Sequence, residues 1–206
     1  MSTIGKNLIN KIETNKKEKK KRLLLSAYRL FSKKGINNTS IQDIVNDAGV
    51  AKGTFYLYFK DKYEIQEALI IKESSNLFNE ALSKLDKDKI KDFDEQLIFV
   101  IDYIIDKCTK SPEIINFISK DLSLGVFNEQ LSKIIFNEQI GIYQEFIGGM
   151  KKSKIKYKNP EVTLYTIIEL VSSTAFNSIT KNYPQDINEY KKYLYKVIKL
   201  ILNEGD

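Results

Sequence analysis

Histidine is absent from all 206 residues. Its absence removes Ser-His-Asp and Cys-His catalysis, His-ligated zinc and any imidazole pH switch. A single cysteine, Cys108, excludes an intramolecular disulfide and a multi-cysteine metal site. Three prolines and nine glycines leave few places where a helix must stop. No apolar run approaches the roughly 20 residues needed to span a bilayer. The run Leu23-Leu24-Leu25 that follows the lysine-rich start is too short for a signal peptide and soon meets Arg29. A cytoplasmic protein that makes no use of a membrane is therefore expected. With 42% hydrophobic and 29% charged residues, the composition is that of a folded globular chain. No spacing pairs carboxylates, lysines or Cys108 for catalysis, so neither an enzyme nor a cofactor or metal site is expected.

What the chain does have is uneven charge. The net +6 divides into +9 for residues 1–60, with 13 basic and 4 acidic residues, and −3 for the remainder, with 20 and 23. A segment so cationic is attracted to a polyanion, and the rest of the chain is not.

Helical periodicity runs throughout, and no strand pattern stands out. The expected helices are 17–34, 40–47, 51–57, 62–84, 92–109, 112–120, 127–154, 160–181 and 187–203, about nine in an all-α fold. Asn159-Pro160-Glu161 and Ser111-Pro112-Glu113 read as helix starts, with a capping side chain before a proline in the first turn. Asp92-Phe93-Asp94-Glu95 has capping-box spacing.

In the basic part, Leu23, Ala27, Leu30 and Phe31 share one face of the first helix, and Gly35 ends it. Thr39-Ser40-Ile41-Gln42 reads as a capping box opening a short helix whose inner stripe is Ile41, Ile44, Val45 and Ala48. Gly49 makes a turn and Val50 fills the gap behind it. A second short helix then turns Phe55 and Phe59 inward and leaves Lys52, Thr54 and Tyr56, with Tyr58 in part, to face out. Two short helices joined by a glycine turn and braced by a longer one make a helix-turn-helix, whose second helix enters the major groove.

The run from Thr39 through Gly49-Val50, Gly53-Thr54-Phe55-Tyr56 and Tyr58-Phe59 to Asp61-Lys62 closely resembles the DNA-binding signature of the tetracycline-repressor (TetR) family. The likeness extends from about Arg22 to Leu69. It implies a three-helix DNA-binding domain, residues 1–61, and a helical ligand-binding and dimerisation domain, residues 62–206. It further implies a homodimer formed by helices 160–181 and 187–203, a double-stranded operator and a small-molecule effector. The expected function is a ligand-responsive regulator, a repressor on a pseudo-palindromic operator that a hydrophobic or amphipathic effector releases. The alternative is an architectural DNA-binding protein of the same fold that recruits a partner and takes no metabolite.

Phosphate contacts position such a protein and base contacts give it discrimination. Thr39, Ser40, Tyr56 and Lys62 are expected on phosphates, the last two by resemblance above all. Gln42, Lys52, Gly53 and Thr54 are expected at base edges, and Tyr58 is placed with the DNA-binding residues although it is partly core. The cluster from Lys16 to Arg22 is either a solvated terminus or a contact with the duplex.

In the body, Phe99, Tyr103, Phe117, Phe136, Tyr143, Phe146, Tyr165 and Phe176 lie at core-like positions and are candidates for an effector cavity. Glu169 interrupts an apolar run and needs a partner, either a neighbouring helix or a cationic ligand. Cys108, between Lys107 and Lys110, is a small apolar filler or, less simply, a redox sensor. Ser172, Ser173, Thr174 and Ala175 suit close helix packing, and Tyr190, Tyr193, Leu194, Val197, Ile198 and Ile201 form a wide apolar stripe, both on the expected dimer helices.

Overall fold

The structure, a computed structural model, describes residues 3–118, 121–128 and 141–204. Among these it contains ten helices and no strand: α1 (Thr3–Lys34), α2 (Ile41–Ala48), α3 (Lys52–Tyr56), α4 (Lys62–Lys84), α5 (Phe93–Lys110), α6 (Pro112–Ile118), α7 (Leu124–Phe127), α8 (Ile142–Lys152), α9 (Pro160–Lys181) and α10 (Ile187–Glu204). The chain forms two compact units, residues 1–69 and 70–206.

The first unit is built by α1 packing on α2 and α3. Leu23, Leu24, Ala27 and Phe31 of α1 are buried with Ile44, Val45, Ala48, Phe55 and Phe59, whereas Leu30 and Ile41 are only half-buried. Full burial of Phe55 alone is worth about 1.5–3 kcal/mol by transfer. Two polar contacts lock the angle between α1 and α2. The Ser26 hydroxyl donates to the Ile44 carbonyl at 3.0 Å, and Arg29 pairs with Asp47.

Two local expectations are corrected here. The first helix begins at Thr3, not near residue 17, because the lysine-rich stretch before Leu23 holds no proline and consists mostly of good helix formers. The capping box is shifted by one residue. Ser40 is the N-cap: its Oγ accepts from the Asp43 N–H at 3.1 Å, and the Asp43 carboxylate accepts from the Ser40 N–H at 2.9 Å.

In the second unit α5 buries Leu97, Val100, Ile101, Ile104, Ile105 and Cys108, a continuous stripe at helical spacing. It packs on α6, α8, α9 and α10, and α9 packs on α8 and α10. Leu164, Ile167, Ile168 and Val171 from α9 and Leu194, Ile198 and Leu202 from α10 complete this core. Lys191 of α10 reaches Asp102 (2.7 Å) and Asp106 on α5, and the Tyr195 hydroxyl donates to the same Asp102. Burial works against the Lys191 charge, but the two carboxylates hold its pKa above the usual lysine value.

Helix starts differ in how they are capped. Asn159 caps α9 by accepting from Val162 N–H, with Pro160 in the first turn. Asp92 stands at the N-cap of α5, but its side chain makes no capping hydrogen bond, so the expected box does not form. The expected helix 127–154 is not continuous: α7 ends at Phe127, α8 starts at Ile142, and residues 129–140 lie outside the described residues. At α7 the chain passes very close to α4. A Cβ on Gly125 would stand 2.4 Å from Ser74 Cβ and 2.7 Å from Ser75 N, and the Gly125 carbonyl accepts from Ser75 Oγ at 2.9 Å.

Candidate nucleic-acid interface

The turn between α2 and α3 is held from behind. Gly49 adopts φ +61°, a conformation L side chains rarely take, and its N–H closes α2 onto Val45 and Asn46 carbonyls. Its own carbonyl accepts from Arg22 Nη2 at 2.9 Å. The backbone angle favours glycine here, and a Cβ would lie 2.5 Å from that nitrogen, so a larger residue would also have to displace the Arg22 guanidinium.

Around the buried Phe55, α3 presents an open face. Lys52 and Gly53 are exposed, with nothing near the position of a Gly53 Cβ, and Thr54 is half-buried. Tyr56 is 53% exposed and Leu57 77%. Phe55 packs edge-on to Tyr56 at 5.6 Å and tilted on Phe59 at 5.8 Å, which fixes the short helix against the unit. On α2, Ser40 and Gln42 are exposed on the same unit, and Gln42 Nε2 donates to Asn46 Oδ1 at 2.8 Å. Of the expected contact residues, Lys52, Gly53, Tyr56, Ser40 and Gln42 are therefore exposed and Thr54 is half-buried.

Three expected contact residues are engaged inside the protein. Thr39 is 1% exposed, and its hydroxyl donates to the Gly35 carbonyl at 2.8 Å. Lys62 donates to the carbonyls of Ile36 (2.8 Å), Thr39 (3.1 Å) and Asn37 (3.4 Å) in the loop after α1. The Tyr58 hydroxyl donates to the Lys16 carbonyl at 3.0 Å. These three hydroxyl and ammonium groups thus make hydrogen bonds within the protein. Arg22, Ser26 and Arg29 hold the unit together, and sequence reading missed their roles; only their spacing opposite Gly49, Ile44 and Asp47 could have pointed to them.

Two acidic residues of α2 are paired with cations, Asp43 with Lys34 and Asp47 with Arg29. Hydrogen bonds from Ser40 and Lys34 lower the Asp43 pKa from its ordinary value to about 2, and bonds from Ser26 and Arg29 lower that of Asp47. No carboxylate side chain occurs in α3 itself. α3 itself thus carries no negative side chain that would repel phosphate.

The sequence model of the bacterial regulatory proteins, tetR family, matches residues 23–69, which covers α2, α3 and the start of α4. An uncharacterized HTH-type transcriptional regulator of Bacillus subtilis (strain 168), YvdT, is 31% identical over 191 residues, spanning 88% of this chain and 93% of its own. The chain belongs to the TetR family. It is a DNA-binding transcriptional regulator, in a family whose members are not enzymes. Solved TetR-family structures share its fold. A tetR family transcription regulator from Shewanella sp. PV-4 superposes with a TM-score of 0.60 at 17% identity, covering 90% of this chain and 97% of its own. FadR from Bacillus subtilis, in complex with stearoyl-CoA, superposes at 0.53 and 19% identity, covering 90% and 98%. No described helix is long and apolar enough to cross a membrane.

The candidate effector residues of the body do not converge on one space. Phe176 lines an apolar cavity of about 30 Å³ with Ile104, Cys108, Ile118 and Leu122, room for about one water. Phe99 lies in a separate surface groove beside Asp102 and Tyr195. Phe146 is core, edge-on to Phe78. Phe117 is buried, Tyr103 donates to Glu80 at 2.6 Å, and Tyr143 and Tyr165 both pack on Phe127. Phe136 lies outside the described residues. Glu169 accepts from the Ser123 hydroxyl, the neighbouring-element partner its position calls for. Burial, and then the Glu169 charge, raise the Asp121 pKa. Burial pushes the Cys108 thiol up to about 11, so it stays protonated and the redox-sensor reading is replaced by the filler one.

Proposed function

We propose that this regulator is a homodimeric repressor that reads a pseudo-palindromic operator through α3. The observation that carries the reading is the exposed Lys52, Gly53 and Tyr56 of α3, with a half-buried Thr54, set around a fully buried Phe55. Lys52 suits guanine O6 and N7, Gln42 suits adenine, and Thr54 offers a methyl to thymine; Gly53 lets backbone approach the bases. Tyr56 and Ser40 supply phosphate contacts.

A dimer is supported by apolar surface on the last two helices. Val162 and Tyr165 on α9, and Tyr193, Val197 and Leu200 on α10, are 44–60% exposed, the latter three at i, i+4 and i+7 on one face. Leu194 and Ile198 of the same helix are spent on the unit's own core, as are Ser172 and Ala175 of α9. An isologous pairing of these faces gives the two-fold symmetry that a palindromic operator requires.

For release, the effector we propose is apolar or amphipathic. Its support is the apolar lining of the α5–α6–α9 cavity, together with a protein of the same fold that binds stearoyl-CoA. At about 30 Å³ the cavity must open to take such a molecule, and opening repacks α5, α6 and α9. A ligand that binds the opened state better than the closed one shifts the equilibrium, and DNA must weaken ligand binding by the same factor. The small size of this cavity favours the second reading, a partner-recruiting DNA-binding protein without a metabolite. Thermal shift of the protein against fatty acids and acyl-CoA esters, with and without duplex DNA, tests the two. Stabilisation that DNA diminishes supports the repressor, and none across the series supports the second reading.

A further inference from the structure

We infer that the N-terminal stretch of α1, residues 11–22, is a second DNA-contacting element: a cationic helical arm that lies on the phosphate backbone outside the footprint of α3. The inference rests on the DNA-binding reading above and adds a contact surface to it. Along α1 the buried positions Leu23, Ala27 and Phe31 define the face that packs on the rest of the unit. Followed toward the N-terminus, three and seven residues before Leu23, that same face presents Lys20 and Lys16. The face therefore changes from apolar to cationic where the arm leaves the core.

The Tyr58 hydroxyl, just past α3, donates to the Lys16 carbonyl, so the arm is tied to the segment that follows α3. Lys20 is half-buried, and no carboxylate pairs with it among the described residues. Desolvation lowers its pKa accordingly. A cation held in that way is stabilised when an anion arrives. Lys16, Lys17, Lys19 and Lys21 are exposed, and Glu18 is the one acid among them. From Lys11 to Arg22 the helix is about 18 Å long, about half a turn of duplex DNA. A membrane surface fits less well, because Ile12 is the sole apolar residue between Lys11 and Arg22 and an interfacial helix needs an apolar face.

The test uses the full chain and a mixed-sequence duplex of about 30 bp, titrated by fluorescence anisotropy over a series of KCl concentrations. In the variant Lys16→Gln/Lys17→Gln/Lys19→Gln/Lys20→Gln/Lys21→Gln, glutamine keeps the helix propensity and removes the charge. The slope of log K against log[KCl] is expected to become shallower by about 2 or more, with affinity near 100 mM KCl at least about tenfold weaker. Should that variant lose helical signal, Lys16→Gln/Lys17→Gln, both at exposed positions, is expected to reduce the slope by about 1 to 2. An unchanged slope in a folded variant, with Lys52→Ala still weakening operator binding, overturns the arm and leaves the α3 reading standing. Loss of arm-dependent binding to phosphatidylserine vesicles without any change on DNA also overturns it. No binding of duplex by the unaltered protein overturns the α3 reading itself.

Discussion

Lys62 illustrates how one side chain divides two roles that its position in the sequence leaves together. A lysine at the start of α4 beside a helix-turn-helix reads as a phosphate contact, yet its ammonium is held by the carbonyls of Ile36, Asn37 and Thr39. Lys62→Ala is therefore expected to destabilise the protein by about 1–3 kcal/mol, because charged hydrogen bonds to partly buried carbonyls are lost. The salt slope of DNA binding should stay as it is. Thermal melts and a KCl titration check both halves; a lower slope with an unchanged melting temperature would return Lys62 to the phosphate. Gly125 is a second residue-scale case. Gly125→Ala drives a Cβ into the Ser74 and Ser75 backbone, and chemical denaturation should register a loss of about 1–3 kcal/mol by overpacking. Ser74 itself, whose buried hydroxyl has no partner among the described residues, should tolerate Ser74→Ala with little change or a gain.

At the scale of elements, α2 depends on a cap that titrates. The Asp43 carboxylate accepts from the Ser40 N–H and from Lys34, and its pKa falls to about 2 from an ordinary 3.8. A depressed carboxylate pKa contributes stability that is present above 3.8 and disappears as pH falls through about 2. The pH dependence of unfolding between those values should thus be smaller in Asp43→Asn than in the natural chain. Equal pH dependence in the two proteins would remove the cap from the account. The same element shows what sequence pattern can and cannot deliver. The inner stripe Ile44, Val45 and Ala48, the Gly49 turn and the inward Phe55 and Phe59 were all legible, because period and glycine chemistry are local. The cap lay one residue further on, since Thr39 and Ser40 both suit it and only the packing of Thr39 against Gly35 decides. The extent of α1 was missed for a related reason: a polar lysine run carries no apolar period, although it forms helix readily. In the body, periodicity pointed to helices, although 127–154 is broken after Phe127, and the aromatics did not point to a cavity, because which of them converge depends on how α5, α8 and α9 pack.

For the whole molecule, the account requires two reading units held at a fixed separation. The exposed stripe of Tyr193, Val197 and Leu200 is the surface that would do so. Tyr193→Glu/Leu200→Glu is expected to give a monomer of 23.9 kDa by size-exclusion chromatography with light scattering, where the natural chain gives twice that mass. A monomeric natural chain at micromolar concentration would remove the dimer. The most direct test of the central claim is enrichment of bound sequences from a random duplex library by the natural chain and by Lys52→Ala. The account predicts an inverted repeat whose half-site centres lie about 10 bp apart or a multiple of it, with Lys52→Ala losing discrimination at one position in each half. Enrichment of an unrepeated site, or an identical consensus from both proteins, would contradict it.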